Sequence, residues 1–180
     1  MLIEHFKLNI EHSKEIFNVQ YPTTNTKAQV VYIMINWLVK KFDDLAPHEL
    51  YAILRLRSEV FVIEQNCIFQ DMDNKDQQSY HLMAWKNEKL IGYTRLVPSG
   101  VAYDLPSIGR VVTSPAERNT GIGKLVMEKS LEELFRLFGK SKVRIGAQLY
   151  LKKFYESFGF VQTSDVYDED GIDHIEMTLE

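Results

Sequence analysis

The segment Arg118-Asn119-Thr120-Gly121-Ile122-Gly123-Lys124 has the residue types of an anion-binding loop. It lies between a strand-like run and a long amphipathic run, where the first turn of a helix offers unpaired N–H groups and a positive dipole end to phosphate. Two phosphate-binding patterns fail. A Walker A loop needs glycine at 118 and Ser or Thr at 125, and a dinucleotide fingerprint needs glycine at 126, but Arg118, Leu125 and Val126 stand there. These residues alone leave an anion site and an ordinary helix start equally open.

The wider context of the loop resembles motif A of the GNAT superfamily of acyl-CoA-dependent N-acyltransferases. A strand at 108–113 is followed by Ser114-Pro115 and then by Arg-x-x-Gly-x-Gly at the start of a helix. The resemblance implies that the strand backbone contacts the pantetheine arm of an acyl-CoA and that the loop amides hold its pyrophosphate. The implied cofactor-binding residues are Val111, Val112, Thr113, Arg118, Asn119, Thr120, Gly121, Ile122, Gly123 and Lys124.

The local charge agrees with a polyanionic co-substrate. Between residues 115 and 155 there are nine Lys or Arg residues against four Glu, a net charge of +5 in a chain whose net charge is −4. A cationic segment of this kind attracts phosphates.

Residues 154–160, Phe-Tyr-Glu-Ser-Phe-Gly-Phe, resemble a second GNAT signature, a helix that ends in Gly-Phe and carries a tyrosine facing the thioester sulfur. A tyrosine in a short aromatic helix is by itself more often a core residue. With motif A upstream, we interpret Tyr155 as the general acid, because a phenol with a pKa near 10 can protonate a thiolate at neutral pH. Phe154 joins it as a cofactor contact. The family also implies an oxyanion donor among the backbone N–H groups of 111–113, typically worth about 3 kcal/mol.

Four further segments resemble the ElaA-like branch of this superfamily. They are 56–67 (Leu-Arg-Ser-Glu-Val-Phe-Val-Ile-Glu-Gln-Asn-Cys), 70–73 (Gln-Asp-Met-Asp), 109–111 (Gly-Arg-Val) and 167–175 (Tyr-Asp-Glu-Asp-Gly-Ile-Asp-His-Ile). Together with the two motifs, the resemblance covers roughly residues 35–180. It brings no defined substrate with it.

The general base has two candidates. His174 follows the Asp170-Gly171 turn, and an imidazole, with a pKa of about 6.5 in model peptides, suits deprotonation of an amine. Some small-molecule GNAT enzymes place a histidine at a similar point, although a histidine beside a turn is often structural. Glu64, at the end of the first helix, could instead act through a water, or could be an exposed helix-end carboxylate.

The acceptor could carry either sign of charge. Arg57 and Arg110 could hold a carboxylate, although a snorkelling surface arginine is the alternative for Arg57, and Gln148 completes the predicted substrate-binding residues. Acidic residues crowd the segments expected to frame the acceptor, namely Glu64, Asp71, Asp73, Asp76, Asp165, Asp168, Glu169, Asp170 and Asp173. A solvated acidic loop explains them, yet they would also attract a protonated amine. An amino-acid-like and a polyamine-like acceptor both stay open.

The elements that position these residues follow from hydrophobic spacing, turn residues and helix-end signals. The pattern predicts a strand at 35–41, a helix at about 47–63, a hairpin of strands 80–85 and 90–97, a strand at 108–113, a helix at about 121–138, a strand at 143–147, a helix at 149–158, and strands at 160–167 and 174–179. This order predicts an α/β (α+β) fold. The resemblance adds a GNAT-type mixed, mostly antiparallel twisted sheet, flanked by helices, with splayed central strands.

Composition places these elements in one domain. A chain of 180 residues with 45% hydrophobic and 12% aromatic residues forms a packed core. The single cysteine, Cys67, predicts neither a disulfide nor a zinc site, and net charge −4 makes a duplex-coating protein improbable. We expect a cytoplasmic protein with no signal or membrane-spanning segment. Residues 1–33 are interpreted as an extension of unknown role and 34–180 as the GNAT domain.

The sequence therefore predicts an acetyl-CoA-dependent N-acetyltransferase that acts on a primary amine, with no metal. A small-molecule acceptor is favoured. Acetylation of a protein or peptide amine, and an acyl-CoA-binding sensor without turnover, are the alternatives. The expected partners are acetyl-CoA and the amine, with no nucleic acid or membrane, and a homodimer is left open.

Overall fold

The computed structural model describes residues 16–17 and 35–180. Apart from residues 16–17, the interpreted extension 1–33 lies outside the described residues, and its role stays a prediction. No helix in the described part of the chain is long and apolar enough to cross a membrane.

Five strands form the first sheet, each antiparallel to its neighbour and in chain order. They are β1 (Ile16–Phe17), β2 (Ile35–Lys41), β3 (Tyr80–Lys86), β4 (Lys89–Val97) and β5 (Ser107–Thr113). The predicted hairpin is β3–β4, and its turn residues Asn87 and Glu88 both have positive φ, of 47° and 62°. Two such residues give the turn a twist that matches the strands. The predicted strands 35–41 and 108–113 are confirmed to within one residue.

Four strands form the second sheet around β9 (Ile172–Leu179), which pairs antiparallel with β6 (Val143–Gln148), β7 (Val161–Gln162) and β8 (Tyr167–Glu169). The predicted single strand 160–167 is wrong, because the chain leaves the ladder between β7 and β8. There the Ser164 hydroxyl accepts the N–H of Glu176, and the Gln162 side chain donates to the Ser164 carbonyl. Such side-chain bonds compete with strand pairing.

Three α-helices lie beside the sheets: α1 (Pro47–Arg57), α2 (Ile122–Phe138) and α3 (Lys152–Glu156). After α1 the chain continues in π-helical geometry from Ser58 to Glu64, so the predicted helix 47–63 has the right extent but two geometries. The predicted helix 149–158 is shorter, because a 3-10 turn at Leu149–Leu151 precedes α3. Helix α2 confirms the prediction and lies close against β4: a Cβ on Gly92 would stand 2.6 Å from Val126 Cγ2.

One buried core joins the two sheets. It combines Leu82 and Leu96 of the first sheet, Met127 and Leu134 of α2, and residues of the second sheet such as Ile145. The two ladders are nevertheless separate. Backbone N–H of Arg144 donates to the Pro106 carbonyl at 3.1 Å, next to the start of β5. The predicted fold class is confirmed as antiparallel sheets flanked by helices, and the separation between β5 and β6 leaves room for a cavity.

Candidate active site

A cavity of about 220 Å³ lies at the separation of the two sheets. Its walls come from β5, from β6, from α3 and β9, and from the loop after the π-helical segment. The lining includes five predicted site residues: Arg110, Val111, Gln148, Tyr155 and His174. Residues that lie far apart in the sequence therefore meet around one space.

A β-bulge shapes the β5 wall. Tyr93 pairs with Val112 and Arg95 with Gly109, so Thr94 on β4 faces two residues, Arg110 and Val111. Arg110 has a φ of +52°, which is unusual for a side chain other than glycine. A bulge bends its strand and leaves backbone groups outside the ladder. The β5 backbone at the cavity is thus available to a ligand.

Tyr155 is 6% exposed and lines the cavity. Its ring makes edge-on contacts with Phe154 and Phe160, at centroid distances of 5.2 and 6.2 Å. Its hydroxyl has no hydrogen-bond partner within the described residues and is not sealed in the core. Burial raises the pKa of this phenol well above its usual value, so the hydroxyl keeps its proton and can donate it into the cavity.

His174 can accept a proton, whereas Tyr155 can donate one. Its Nδ1 lies 2.8 Å from the Ile172 carbonyl, and since a carbonyl only accepts, Nδ1 carries the hydrogen. In the neutral ring Nε2 then has a free lone pair. Stacking on Tyr167, at 5.9 Å between centroids, and pairing opposite Gln148 hold the ring on β9 at the cavity. The side chain can accept a proton there.

Gln148 spans the two walls. Its side-chain amide exchanges two hydrogen bonds of 3.2 Å with Gln65, which follows the π-helical segment, and its oxygen also accepts from the Tyr150 hydroxyl. The Cys67 thiol makes a similar bridge to the Asp170 carbonyl at 3.3 Å. Sequence reasoning missed Gln65 and gave Cys67 no role, since the 56–67 resemblance assigns no chemistry to either residue.

The predicted phosphate loop is open to an anion. Asn119 and Gly121 have positive φ values of 63° and 88°, and no side chain caps the start of α2. The Thr120 hydroxyl donates back to the Glu117 carbonyl, and the loop residues 118–121 are exposed. At the start of this 17-residue helix the N–H groups of Ile122 and Gly123 have no partner among the described residues, whereas that of Lys124 donates to the Gly121 carbonyl at 3.1 Å. The two unused N–H groups suit a pyrophosphate. Thr113 at the end of β5 lies beside Gly123, where a Cβ would be 4.0 Å away.

The structure pairs Glu64 with Arg118. Both of its carboxylate oxygens accept from Arg118, at 2.6 and 2.8 Å, on the surface beside the phosphate loop. Glu64 does not line the cavity that holds Tyr155 and His174. Its role as a base acting through a water stays a prediction.

The role predicted for Arg57 is also wrong. The side chain is fully buried, and its nitrogens donate to the Asp71 carboxylate at 2.7 Å, to the Asp76 carboxylate at 2.9 Å and to the Asp71 carbonyl at 3.0 Å. It is neither a snorkelling surface residue nor free to bind a substrate carboxylate. Its packing holds α1 against the loop that carries the two aspartates.

Arg57 belongs to a buried network of three arginines and three aspartates. Arg95 donates to Asp73 at 2.6 and 2.8 Å and to Asp76 at 2.9 Å, while Arg110 donates to Asp71 at 2.7 Å. Burial opposes ionisation of Asp73, but the bonds and charges of Arg95 and Arg110 outweigh it and hold the pKa of that carboxyl well below its usual range.

This network changes two expectations. Asp71, Asp73 and Asp76 were expected to attract a protonated amine, but their charges are already compensated. Arg110 reaches the cavity, yet two of its nitrogens already donate to this network. Sequence reasoning missed Arg95. An arginine inside a buried strand run was a usable signal, since a buried charge needs a partner.

The comparisons with known proteins agree with this geometry. The acetyltransferase (GNAT) domain family matches residues 43–180. Protein ElaA of Escherichia coli strain K12 is 42% identical over 149 residues, covering 82% of this chain and 97% of that protein. The crystal structure of E. coli ElaA has a TM-score of 0.77 at 41% identity and covers 82% of this chain and all of that one. An acyl-CoA N-acyltransferase from Pseudomonas aeruginosa has a TM-score of 0.78 at 41% identity, with 81% of this chain and 99% of that one covered.

Proposed function

Because this chain belongs to the GNAT acetyltransferase family, in its ElaA-like branch, and is therefore an acyltransferase that uses an acyl-CoA, we propose that it transfers the acetyl group of acetyl-CoA to a primary amine of a small molecule. One observation carries the proposal. A single cavity contains the unpartnered hydroxyl of Tyr155 and the imidazole of His174, whose Nε2 is free to accept a proton.

Acetyl-CoA binds along β5 and the start of α2. The segment from Arg118 to Lys124 holds the pyrophosphate through its backbone N–H groups and the helix dipole. The backbone of Val111, Val112 and Thr113 contacts the pantetheine arm, and Phe154 packs beside it. This path ends at the cavity, because Val111 and Tyr155 line it.

The chain's own groups then move two protons. His174 Nε2 accepts a proton from the amine as the amine nitrogen forms its bond to the thioester carbonyl carbon. Backbone N–H groups at the β5 bulge stabilise the negative charge on the carbonyl oxygen. The carbon–sulfur bond breaks, and Tyr155 gives its proton to the leaving thiolate. The products are an amide and free CoA thiol, and solvent carries the proton from the imidazolium back to the phenolate.

The raised pKa of Tyr155 fits this order of events. A buried phenol is a weak acid in the free enzyme and stays protonated. Once His174 has taken a proton, a positive charge lies on the same cavity, and a nearby cation favours the phenolate. Proton donation by Tyr155 is thereby coupled to deprotonation of the amine.

A small acceptor is favoured by the contacts across the cavity. The Gln65–Gln148 and Cys67–Asp170 hydrogen bonds join its two sides, which leaves less space for a polypeptide than an open groove would. Peptide acetylation stays the alternative. A sensor without turnover would need the phosphate loop but would have no use for an unpartnered phenol and a histidine that line one cavity.

The test combines isothermal titration of acetyl-CoA with a thiol-release assay over a library of small amines and lysine peptides. We expect binding, and release that depends on a small amine. Thiol release with lysine peptides alone would show that the acceptor is a protein or peptide amine. Binding of acetyl-CoA without thiol release for any amine would favour the sensor.

A further inference from the structure

The two sides of the cavity differ in free charge. On the β4–β5 side, Arg95 and Arg110 are paired with Asp71, Asp73 and Asp76, and Lys75 lies 3.5 Å from Asp73. Arg57 pairs with Asp71 and Asp76 as well, so each of the three carboxylates on that side is compensated by the four cations. The opposite side carries Glu169 and Asp170 of the β8–β9 turn, which also line the cavity. Neither forms a salt bridge with any residue that the structure describes.

Tyrosine hydroxyls extend this acidic side. A Cβ placed on Gly146 would lie 2.9 Å from the Tyr103 hydroxyl and 3.3 Å from the Tyr167 hydroxyl, so both oxygens converge over the bare backbone of β6. Tyr103 and Gly146 line the cavity. Burial, followed by the charges of Glu176 and Glu169, raises the pKa of Tyr103, which places neutral hydroxyls beside carboxylates.

Arg144, a cation next to Tyr103, is already engaged. Arg144 lies over the Tyr103 ring at 5.1 Å and is ion-paired with Glu176. It does not compensate Glu169 or Asp170. The cavity thus has two carboxylates that form no salt bridge among the described residues, with a tyrosine oxygen beside them. It also has the hydroxyl of Tyr155, a separate group that is more than nine-tenths buried and has no hydrogen-bond partner in the described part of the chain.

We propose that the acceptor carries a second, protonated nitrogen, which Glu169 and Asp170 bind with the Tyr103 hydroxyl, so that the substrate class is the diamines and polyamines. This rests on the proposed function, since the other nitrogen of the same molecule is the one that His174 deprotonates. A carboxylate-bearing acceptor fits less well, because the cavity's arginines are already held by aspartates. Carboxylates bind an ammonium through charge-assisted hydrogen bonds, and this side supplies two of them on the exposed residues Glu169 and Asp170.

The first experiment compares acceptors that differ at one end only. Thiol release is measured with wild-type protein and putrescine, spermidine, butylamine or γ-aminobutyrate. We expect kcat/KM for putrescine or spermidine to exceed that for butylamine by roughly 10-fold or more, as for a hydrogen bond to a charged group. γ-Aminobutyrate should be the poorest of the set.

The second experiment removes the charge. In Glu169→Gln, the ratio of kcat/KM for putrescine to that for butylamine should fall by roughly 10-fold, mainly through KM for the diamine, while acetyl-CoA affinity stays within a few-fold. Asp173→Asn is the matched control. It removes an exposed acid from the same end of β9 that does not line the cavity, and it should keep the wild-type ratio.

The outcomes separate the two levels of the proposal. If butylamine or γ-aminobutyrate is used as well as the diamines, or if Glu169→Gln keeps the wild-type ratio, the substrate class is wrong and the acetyltransferase function stands. If acetyl-CoA binds but no amine supports thiol release, the proposed function is wrong and the substrate class falls with it.

Discussion

Tyr155 and His174 differ in what the structure does to each side chain. Burial among Phe154 and Phe160 keeps Tyr155 protonated, while a backbone carbonyl selects the tautomer of His174 that leaves Nε2 free. One group can give a proton and the other can take one. Two predictions follow from these roles.

Replacing Tyr155 with phenylalanine removes only a hydroxyl that has no partner among the residues the structure describes, so folding and acetyl-CoA affinity should change little. Turnover should fall by roughly 10² to 10⁴, the range for a positioned general acid. Single-turnover thiol release and titration of acetyl-CoA measure the two effects. Tyr51→Phe, at a 71% exposed position on α1, is the control. Full turnover in Tyr155→Phe would show that another group protonates the thiolate.

Replacing His174 with phenylalanine keeps a ring that can stack on Tyr167 but removes the lone pair. In wild-type protein kcat/KM should rise with pH as the imidazolium loses its proton, because only the neutral ring accepts one from the amine. The variant should lose this rise and slow by roughly 10² or more, with acetyl-CoA affinity nearly unchanged. The pH profile of thiol release measures both.

Two substitutions control for this result. His48→Phe changes an exposed histidine of α1, and Glu64→Gln weakens the pair with Arg118 without touching the cavity. Both should keep the rise with pH. If the rise persists in His174→Phe and disappears in Glu64→Gln, then Glu64 is the base after all.

At the scale of elements, the start of α2 depends on backbone conformation. Gly121 has a φ of +88° and is the N-cap of the helix, with nothing within 4 Å of the place where a Cβ would be. The glycine therefore provides a left-handed conformation and an open surface, not a tight fit. Close approach of a phosphate to the backbone is the function that such a residue serves.

Gly121→Glu should weaken acetyl-CoA binding by at least about 10-fold, because it places a negative charge where we propose that the pyrophosphate binds. Gly100→Glu is a matched control, since Gly100 also has a positive φ, of 84°, with open space around it, but lies between β4 and β5. Gly100→Glu imposes the same backbone strain but places no negative charge at the start of α2. Calorimetric titration of both variants measures the difference, and equal affinities would remove the loop from the cofactor site.

At the scale of the whole molecule, the arginine–aspartate network connects α1, the 71–76 loop, β4 and β5 within one core. Four of its six members are buried, and Arg57 has no exposed surface. Burying charge is costly unless each group is paired, so the network acts as a unit. The position of the β5 wall thus depends on carboxylates that must stay ionised.

Stability should therefore depend on pH in the acidic range. The pKa values of Asp73 and Asp76 are lowered by their arginines, against the effect of burial. A carboxyl whose pKa is lower in the folded state stabilises the fold at any pH above its pKa in the unfolded chain, which is about 3.9. This contribution is lost as the pH falls from about 3.9 towards the pKa of the folded state. The free energy of unfolding in urea should fall steeply below about pH 4.

Asp73→Asn should be less stable than wild type at neutral pH but should lose less stability on acidification. Asp43→Asn, an exposed acid with no salt bridge among the described residues, should keep the wild-type slope. An unchanged slope in Asp73→Asn would show that this carboxylate is not what links folding to pH.

The sequence by itself determined most strands, α2, the phosphate loop and the two family motifs. These depend on residues close together in the chain: hydrophobic spacing, the glycine positions and the Asn87-Glu88 turn. It also selected Tyr155, His174, Gln148, Arg110 and Val111, which the structure places around one cavity. Their chemical roles stay predictions that the variants above test.

The tertiary structure alone decided how the charges are paired. Arg57 and Asp71 are 14 residues apart, Arg110 and Asp71 are 39 apart, and Glu64 and Arg118 are 54 apart. No local pattern specifies which of several carboxylates an arginine meets, since that depends on how helices and sheets pack. The same packing brings Glu169 and Asp170 to the cavity, where neither forms a salt bridge with a residue that the structure describes.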